Sequence, residues 1–192
     1  MEIKDNLVDY IRVWDDIFPK QTLTNFRKVL DVTEKFEDAS IVNGGKATVD
    51  KKHRDTLVWH PSNLKGSITE AHWTNLLSWT FKKLYDNYFE EIQINHAVKM
   101  TELQILKYGN NGHYKFHVDA STVLHRTLSL IFFVNDDYKG GALKFKNITT
   151  GNEVEIEKKA NRCVIWPSNF MYPHTVTPVT EGTRYSVVSW AL

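Results

Sequence analysis

From Met100 to the C-terminus the chain breaks into short apolar runs separated by Gly, Asn and Asp turns. The runs at 101–108, 126–135, 141–147, 152–157, 162–166, 174–178 and 183–191 have strand length. Their even spacing is that of a β-sandwich or jelly roll. No other feature narrows the fold as far, because short strands in series bury their apolar faces only against a second sheet or a layer of helices.

The first half of the chain supplies such a layer. Over 68–94 the residues Ile68, Ala71, Trp73, Leu76, Leu77, Phe81, Leu84, Tyr85 and Phe89 form an apolar stripe at helical period, with Lys and Asp on the opposite face. Ser67 followed by Glu70 is a capping-box pattern at its start. A second helix is predicted over 20–33 from Leu23, Phe26, Val29 and Leu30. Val8 to Phe18 reads as an early strand ended by Pro19, 38–52 as a polar loop, and Arg54 to His60 as a short strand stopped by Pro61. No linker composition marks a boundary. The expectation is one domain over 1–192, mostly β with flanking α. It is a jelly roll over about 100–192, with helical and strand support from about 1–99 packed on one sheet.

Bulk properties close off several function classes. Lys+Arg number 24 and Asp+Glu 23, so the balance of charge argues against a dedicated nucleic-acid surface or an anionic membrane surface. The N-terminus MEIKDNLVDY lacks the pattern of a signal peptide, and no apolar run approaches a membrane span. Cys163 is the single cysteine and lies in the apolar run CVIW, which suits a small buried hydrophobe better than a reactive thiol. The sequon Asn147-Ile148-Thr149 has no secretory context to give it meaning. A soluble cytoplasmic protein is expected.

Chemistry concentrates between Tyr108 and Arg184. His117 and Asp119 are two apart, so on an extended segment both point to one face. Among eight histidines a His-x-Asp triplet arises readily by chance, and the chain has a second, His53-Arg54-Asp55, beside Lys51 and Lys52. Those cations oppose metal binding, so the first triplet reads as a solvated charge run. What distinguishes the second is its sequel: His174 opens a strand-like run after Pro173, and Arg184 follows inside TRYSVVSW. Two imidazoles and one carboxylate leave half of an iron coordination sphere open. On the last strand Arg184, Ser186, Val188 and Trp190 share a face, and an arginine buried there needs an anion, for which a small dicarboxylate is suited.

The ordered set Tyr108, His117-x-Asp119, His174, Arg184-x-Ser186 resembles that of Fe(II)/2-oxoglutarate-dependent dioxygenases, and within them the prolyl 4-hydroxylase-like branch in its short stand-alone bacterial and phage-like form. RTLSLIFFVND, KGGALKF and VIWPSNFMYPHTV support the likeness, which covers about 100–192. The resemblance implies a double-stranded β-helix with the iron inside it. His117, Asp119 and His174 would be the metal ligands, Arg184 and Ser186 would hold the far carboxylate of 2-oxoglutarate, and Tyr108 would lie beside the cosubstrate. It also implies O₂ as oxidant, ascorbate as reductant, and oxidative decarboxylation of 2-oxoglutarate to succinate and CO₂ coupled to hydroxylation of a C–H bond. Two departures stand out: collagen-type prolyl hydroxylases usually carry lysine where Arg184 stands, and Phe132 and Phe133 occupy a strand where some relatives have a tyrosine.

The substrate the resemblance favours is a proline-containing peptide or protein; a free amino acid, small metabolite or nucleobase is the alternative. A demethylating DNA-repair enzyme is disfavoured because its second arginine would fall at Trp190. A reading from another class is a non-catalytic jelly-roll module holding zinc, for which Arg184 would have no use. Trp166, Trp190 and the loop 111–116 are candidates for shaping the substrate mouth, and the Gly109–Gly112 turn for a mobile entrance. His113 and His125 carry no assigned role.

Overall fold

The computed structural model describes residues 6–43, 46–62 and 64–192. A 3₁₀ turn (Leu7–Tyr10) leads into β1 (Arg12–Trp14), α1 (Lys20–Val32), β2 (Glu37–Asp38), the hairpin β3 (Ile41–Asn43) and β4 (Lys46–Thr48), β5 (Arg54–Asp55), β6 (Leu57–Trp59) and α2 (Ile68–Glu91). Thereafter every element is a strand: β7 (Met100–Tyr108), β8 (His113–His117), β9 (Leu128–Phe133), β10 (Lys139–Gly140), β11 (Leu143–Lys146), β12 (Glu153–Ile156), β13 (Arg162–Pro167), β14 (His174–Val176), β15 (Val179–Glu181) and β16 (Arg184–Ala191).

Two antiparallel sheets face one another. The larger has the order β1-β13-β9-β16-β7-β6-β2 and the smaller β12-β11-β14-β8-β5. This is the jelly roll expected from the sequence, with both helices against the outer face of the larger sheet. The central strands read as unbroken apolar runs because both of their faces are covered. In β9, Leu128, Leu130 and Phe132 join the helix-side core, while Ile131 and Phe133 join the core between the sheets. Likewise in β16 Tyr185 and Val187 face the helices, and Val188 and Trp190 face the smaller sheet.

Helix α2 buries Trp73, Leu77, Phe81, Leu84, Tyr85, Tyr88 and Phe89, the stripe expected from its periodicity with Tyr88 added. Ile68 departs from that stripe and is exposed at the first turn. The Ser67 hydroxyl accepts the Glu70 backbone N–H at 3.2 Å. The Glu70 carboxylate does not reach back to close the box; it accepts from the Ser62 backbone N–H and pairs with Lys35. At the other end Gln93 takes a left-handed φ of 57°. Gln93 N–H then bonds to the Glu90 carbonyl and Ile94 N–H to the Phe89 carbonyl, a Schellman stop that ends the helix at Glu91, three residues earlier than its apolar pattern.

Three other stretches differ from expectation. The predicted strand over 8–18 splits into the 3₁₀ turn and the edge strand β1, since its side chains alternate too loosely to fill one face. The polar stretch 38–52 is not a plain loop but carries the β3–β4 hairpin. The strand over 54–60 breaks at Thr56: β5 pairs with β8 in the smaller sheet, while β6 pairs with β7 in the larger. That break joins the two sheets at one end of the space between them. Among the described residues no helix is long and apolar enough to cross a membrane.

Candidate metal centre and anion pocket

The segment 111–116, expected as a loop, is largely β8, a strand the sequence masks by alternating His, Tyr, Lys and Phe. This strand makes the site. β8 pairs with β14 so that His117 and His174 lie directly opposite one another, with ring centroids 4.2 Å apart. Asp119 follows two residues after His117. Its Oδ1 is 3.7 Å from His117 Nε2 and its Oδ2 is 3.5 Å from His174 Nε2. One donor atom from each of the three side chains lies within 4.8 Å of the others. No other such cluster is found among the described residues, and the His53/Asp55 pair joins none.

The surroundings fix the orientation of these side chains. His117 Nδ1 lies 2.9 Å from the Lys115 carbonyl and His174 Nδ1 3.1 Å from the Tyr172 carbonyl. Each carbonyl fixes the proton on Nδ1 and leaves the Nε2 lone pair pointing at the centre. The Ser129 hydroxyl donates to Asp119 Oδ2 at 2.6 Å and is itself 2.7 Å from the Ser168 hydroxyl. Burial, reinforced by the neighbouring His174, pushes His117 down to about 3, so it is neutral at physiological pH. Burial alone would raise the Asp119 carboxyl, but the facing imidazoles and the Ser129 hydroxyl outweigh it and hold it below the ordinary carboxylate range. A neutral His117 and an ionised Asp119 are the forms that bind a divalent ion. The donor set of two imidazoles and a carboxylate fits Fe(II), with Zn(II) the competing fit.

Deeper between the sheets lies a second feature. Arg184 opens β16 opposite Tyr108 and is fully buried. Its Nη1 donates to the Ser186 hydroxyl at 2.9 Å, and its guanidinium carbon is 5.0 Å from the Tyr108 ring and 5.3 Å from the Phe133 ring. Its Nε and Nη2 make no well-formed hydrogen bond among the described residues; the Tyr138 hydroxyl faces the guanidinium, which offsets part of the rise that burial imposes on that phenol. Tyr138 is close by: a Cβ on Gly141 would meet both the Tyr138 ring and Arg184 Cδ at 3.0 Å, and the left-handed φ of 60° there also favours glycine. A buried cation with two such donors beside a phenol is a site for an anion. The far carboxylate of 2-oxoglutarate fits it.

A cavity of about 330 Å³ between the two sheets is lined by His117, Asp119 and His174. Tyr108, Leu143 and Val176 line it, whereas Arg184, packed on the other side of the Tyr108 contact, and Ser186 do not and are fully buried. Trp166 and Trp190 both line it, Trp166 edge-on to His174 with centroids 4.9 Å apart. The Gly109–Gly112 turn is tied down rather than free: Asn111 N–H bonds to the Val179 carbonyl and Val179 N–H to the Gly112 carbonyl. His113 is engaged with the Asn111 carbonyl and His125 is exposed; neither lines the cavity.

Three contributors were missed from the sequence. Strand parity could have found Ser129, which falls on the inward face with Ile131 and Phe133. Tyr114, stacked on His117 at 3.5 Å, lies three residues before it in a stretch whose polar pattern reads as loop. Tyr138 sits in an Asp-Asp-Tyr turn and offered no signal.

Comparison with known proteins places these residues in a family context. Residues 103–192 match the model of the 2OG-Fe(II) oxygenase superfamily. A PKHD-type hydroxylase of Alteromonas mediterranea is 33% identical over 95 residues, which are 44% of this chain and 40% of that one. This chain therefore spans about two fifths of that relative's length. A PKHD-type hydroxylase of Colwellia psychrerythraea is 25% identical over 173 residues, 85% of this chain and 76% of the relative. Among solved structures, a prolyl hydroxylase from Trichoplax adhaerens, in complex with a hypoxia inducible factor peptide fragment, has a TM-score of 0.77 at 16% identity, covering 95% of this chain and 83% of that one.

Proposed function

We propose that this chain, whose residues 103–192 match the model of the 2OG-Fe(II) oxygenase superfamily, is an Fe(II)- and 2-oxoglutarate-dependent dioxygenase that hydroxylates a C–H bond, with peptidyl proline as its leading substrate. The observation that carries the reading is Arg184. A zinc-binding module has no use for a fully buried guanidinium with two donors that make no well-formed hydrogen bond, whereas a dicarboxylate cosubstrate supplies the missing anion. The lean toward peptidyl proline rests on the prolyl hydroxylase relatives and neighbours; a free amino acid or small metabolite is the second substrate class.

His117, Asp119 and His174 would hold Fe(II). When bound, the iron with 2-oxoglutarate and O₂ supplies oxidative decarboxylation to succinate and CO₂ and the transfer of one oxygen atom into a C–H bond, with ascorbate as the reductant that maintains it. The chain's own part is placement. Arg184, Ser186 and Tyr138 hold the far end of the cosubstrate, and Tyr108 walls its flank. Ser129 and the Lys115 and Tyr172 carbonyls keep the ligands aimed, while Trp166 and Phe145 pack against His174 and keep water from its ring. No side chain has to move a proton. The proposal keeps the cytoplasmic location expected from the sequence.

The test is succinate formation from 2-oxoglutarate, dependent on Fe(II) and O₂, with a proline-containing peptide and free proline screened by mass for one added oxygen. His174→Ala should abolish both metal binding and turnover while the circular dichroism spectrum is kept. Undiminished turnover in that variant would overturn the ligand assignment.

A further inference from the structure

We infer that the substrate of this cavity carries a carboxylate, and that Arg54 is the residue that binds it; the inference deepens the oxygenase reading and rests on it. Beyond the metal ligands, the charged side chains lining the cavity are Arg54, Glu102 and Arg126. The last two satisfy one another: Arg126 Nη2 donates to Glu102 Oε1 at 2.8 Å, and the Arg126 guanidinium lies 3.6 Å over the Trp190 ring. Arg54 has no carboxylate partner among the described residues. Its Nη1 donates to the Ser40 carbonyl at 3.0 Å and its Nη2 to Gln104 Oε1 at 3.5 Å, while its Nε is buried with no acceptor. Neutral acceptors orient the guanidinium without cancelling its charge, and the long Gln104 bond can yield to a charged acceptor.

Location makes this cation relevant to substrate. The Arg54 guanidinium lies 4.8 Å over the Tyr114 ring, and Tyr114 stacks on His117 at 3.5 Å with planes 14° apart. Arg54 is thus two stacked layers from a candidate metal ligand and lines the cavity, whereas Arg184 does not. With the family's cofactors in place the inner charges cancel, a divalent ion and Arg184 against Asp119 and a dicarboxylate. Arg54 is then the uncompensated charge of the site, and one substrate carboxylate would balance it through the fork of donors that an arginine presents. The sequence shows this residue only inside the first His-x-Asp triplet. Although that triplet reads as a solvated charge run, Arg54 is half-buried and faces the cavity.

A carboxylate could belong to a free amino acid, to a peptide C-terminus, or to an acidic side chain beside a prolyl residue. Three acid–amide pairs separate these: L-proline and L-prolinamide, a proline-rich peptide with free or amidated C-terminus, and the amidated peptide with Asp or Asn next to proline. Binding is measured by calorimetry to the full chain loaded with Mn(II) and 2-oxoglutarate, so no turnover is needed. In the wild type the acid of at least one pair should bind about ten- to a hundredfold tighter than its amide, the range of a charge-assisted hydrogen bond. Arg54→Gln should erase that preference, and Arg54→Lys should restore part of it. 2-Oxoglutarate affinity should be the same in all three proteins, which also reports that they are folded. Equal binding within every pair, a preference that survives Arg54→Gln, or failure of any acid to bind while 2-oxoglutarate still does would each overturn the assignment. If the wild type fails to bind 2-oxoglutarate, the oxygenase reading itself falls, and this inference with it.

Discussion

At the scale of single residues, the candidate ligand cluster was legible because the pattern His-x-Asp, His, Arg-x-Ser runs in a fixed order, while the atoms that aim its side chains were not. Ser129 shows why. A serine in TLSLIFF looks like any small strand residue until the pleat puts it beside Asp119. Its hydroxyl holds Oδ2 at 2.6 Å and hands the interaction on to Ser168, so the carboxylate cannot rotate away from the two imidazoles. Ser129→Ala removes that restraint and little volume. We expect it to weaken Fe(II) or Mn(II) binding by about ten- to a hundredfold and to leave thermal stability nearly unchanged. Competition against a chelator of known affinity measures the first and a melting curve the second; unaltered metal affinity would show that Asp119 is held by the fold alone. Tyr138 and Arg54 escaped for a related reason. Each is recognised by a buried atom without a well-formed hydrogen bond, and satisfaction is a property of three dimensions.

Elements whose side chains follow one period were predictable, and those that serve two surfaces were not. Helix α2 has one buried face, so its stripe was readable; Phe81 is fully buried on that face against Phe132, while Trp79 projects from the opposite one. Phe81→Ala should cost about 3–5 kcal/mol of unfolding free energy and Trp79→Ala less than about 0.5 kcal/mol, read by urea denaturation; equal losses would mean that α2 packs by another face. Strand β8 was missed because its alternating polar residues resemble a loop, although they line a cavity on one side and meet solvent on the other. Edge strand β1 was blurred for want of apolar content. It is held partly by charge: Asp15 pairs with Arg162 Nε at 2.8 Å and with Lys159 Nζ at 3.0 Å. The Arg162 bond leads in holding the Asp15 carboxyl down to about 2. A carboxyl depressed on folding stabilises above its unfolded value and loses that contribution as pH falls toward the folded one. The pair is solvent-exposed, so the gain is under about 1 kcal/mol. The melting temperature of Asp15→Asn should therefore sit slightly below that of the wild type at pH 5 and above. The gap should close as pH approaches 2, and a gap that widens on acidification would contradict the pairing.

For the whole molecule, two sheets with their helices on one outer face leave the space between the sheets as the place where the His117, Asp119 and His174 cluster meets the cavity. The candidate metal ligands come from the smaller sheet and the segment after β8, the candidate anion pocket largely from β16 of the larger. The fold class was legible from strand spacing; the closure of this space was not, because it depends on β5 and β6 parting at Thr56. Binding inside such a space ties both sheets together, and any ligand that prefers the native state raises stability by mass action. At a hundredfold excess over its dissociation constant each ligand adds about 2.7 kcal/mol. That corresponds to roughly 5–10 °C of melting temperature for a chain of this size. Mn(II) should give one such increment and 2-oxoglutarate, added after it, a second. Arg184→Met keeps the volume of the buried side chain but removes the cation, so the free protein should tolerate it well, because a buried charge without an anion is replaced by an apolar chain. The variant should keep the Mn(II) increment and lose the 2-oxoglutarate increment. Differential scanning calorimetry with the ligands added in that order separates the two sites. A 2-oxoglutarate increment equal in variant and wild type would mean that the dicarboxylate is anchored elsewhere and that Arg184 is a structural cation.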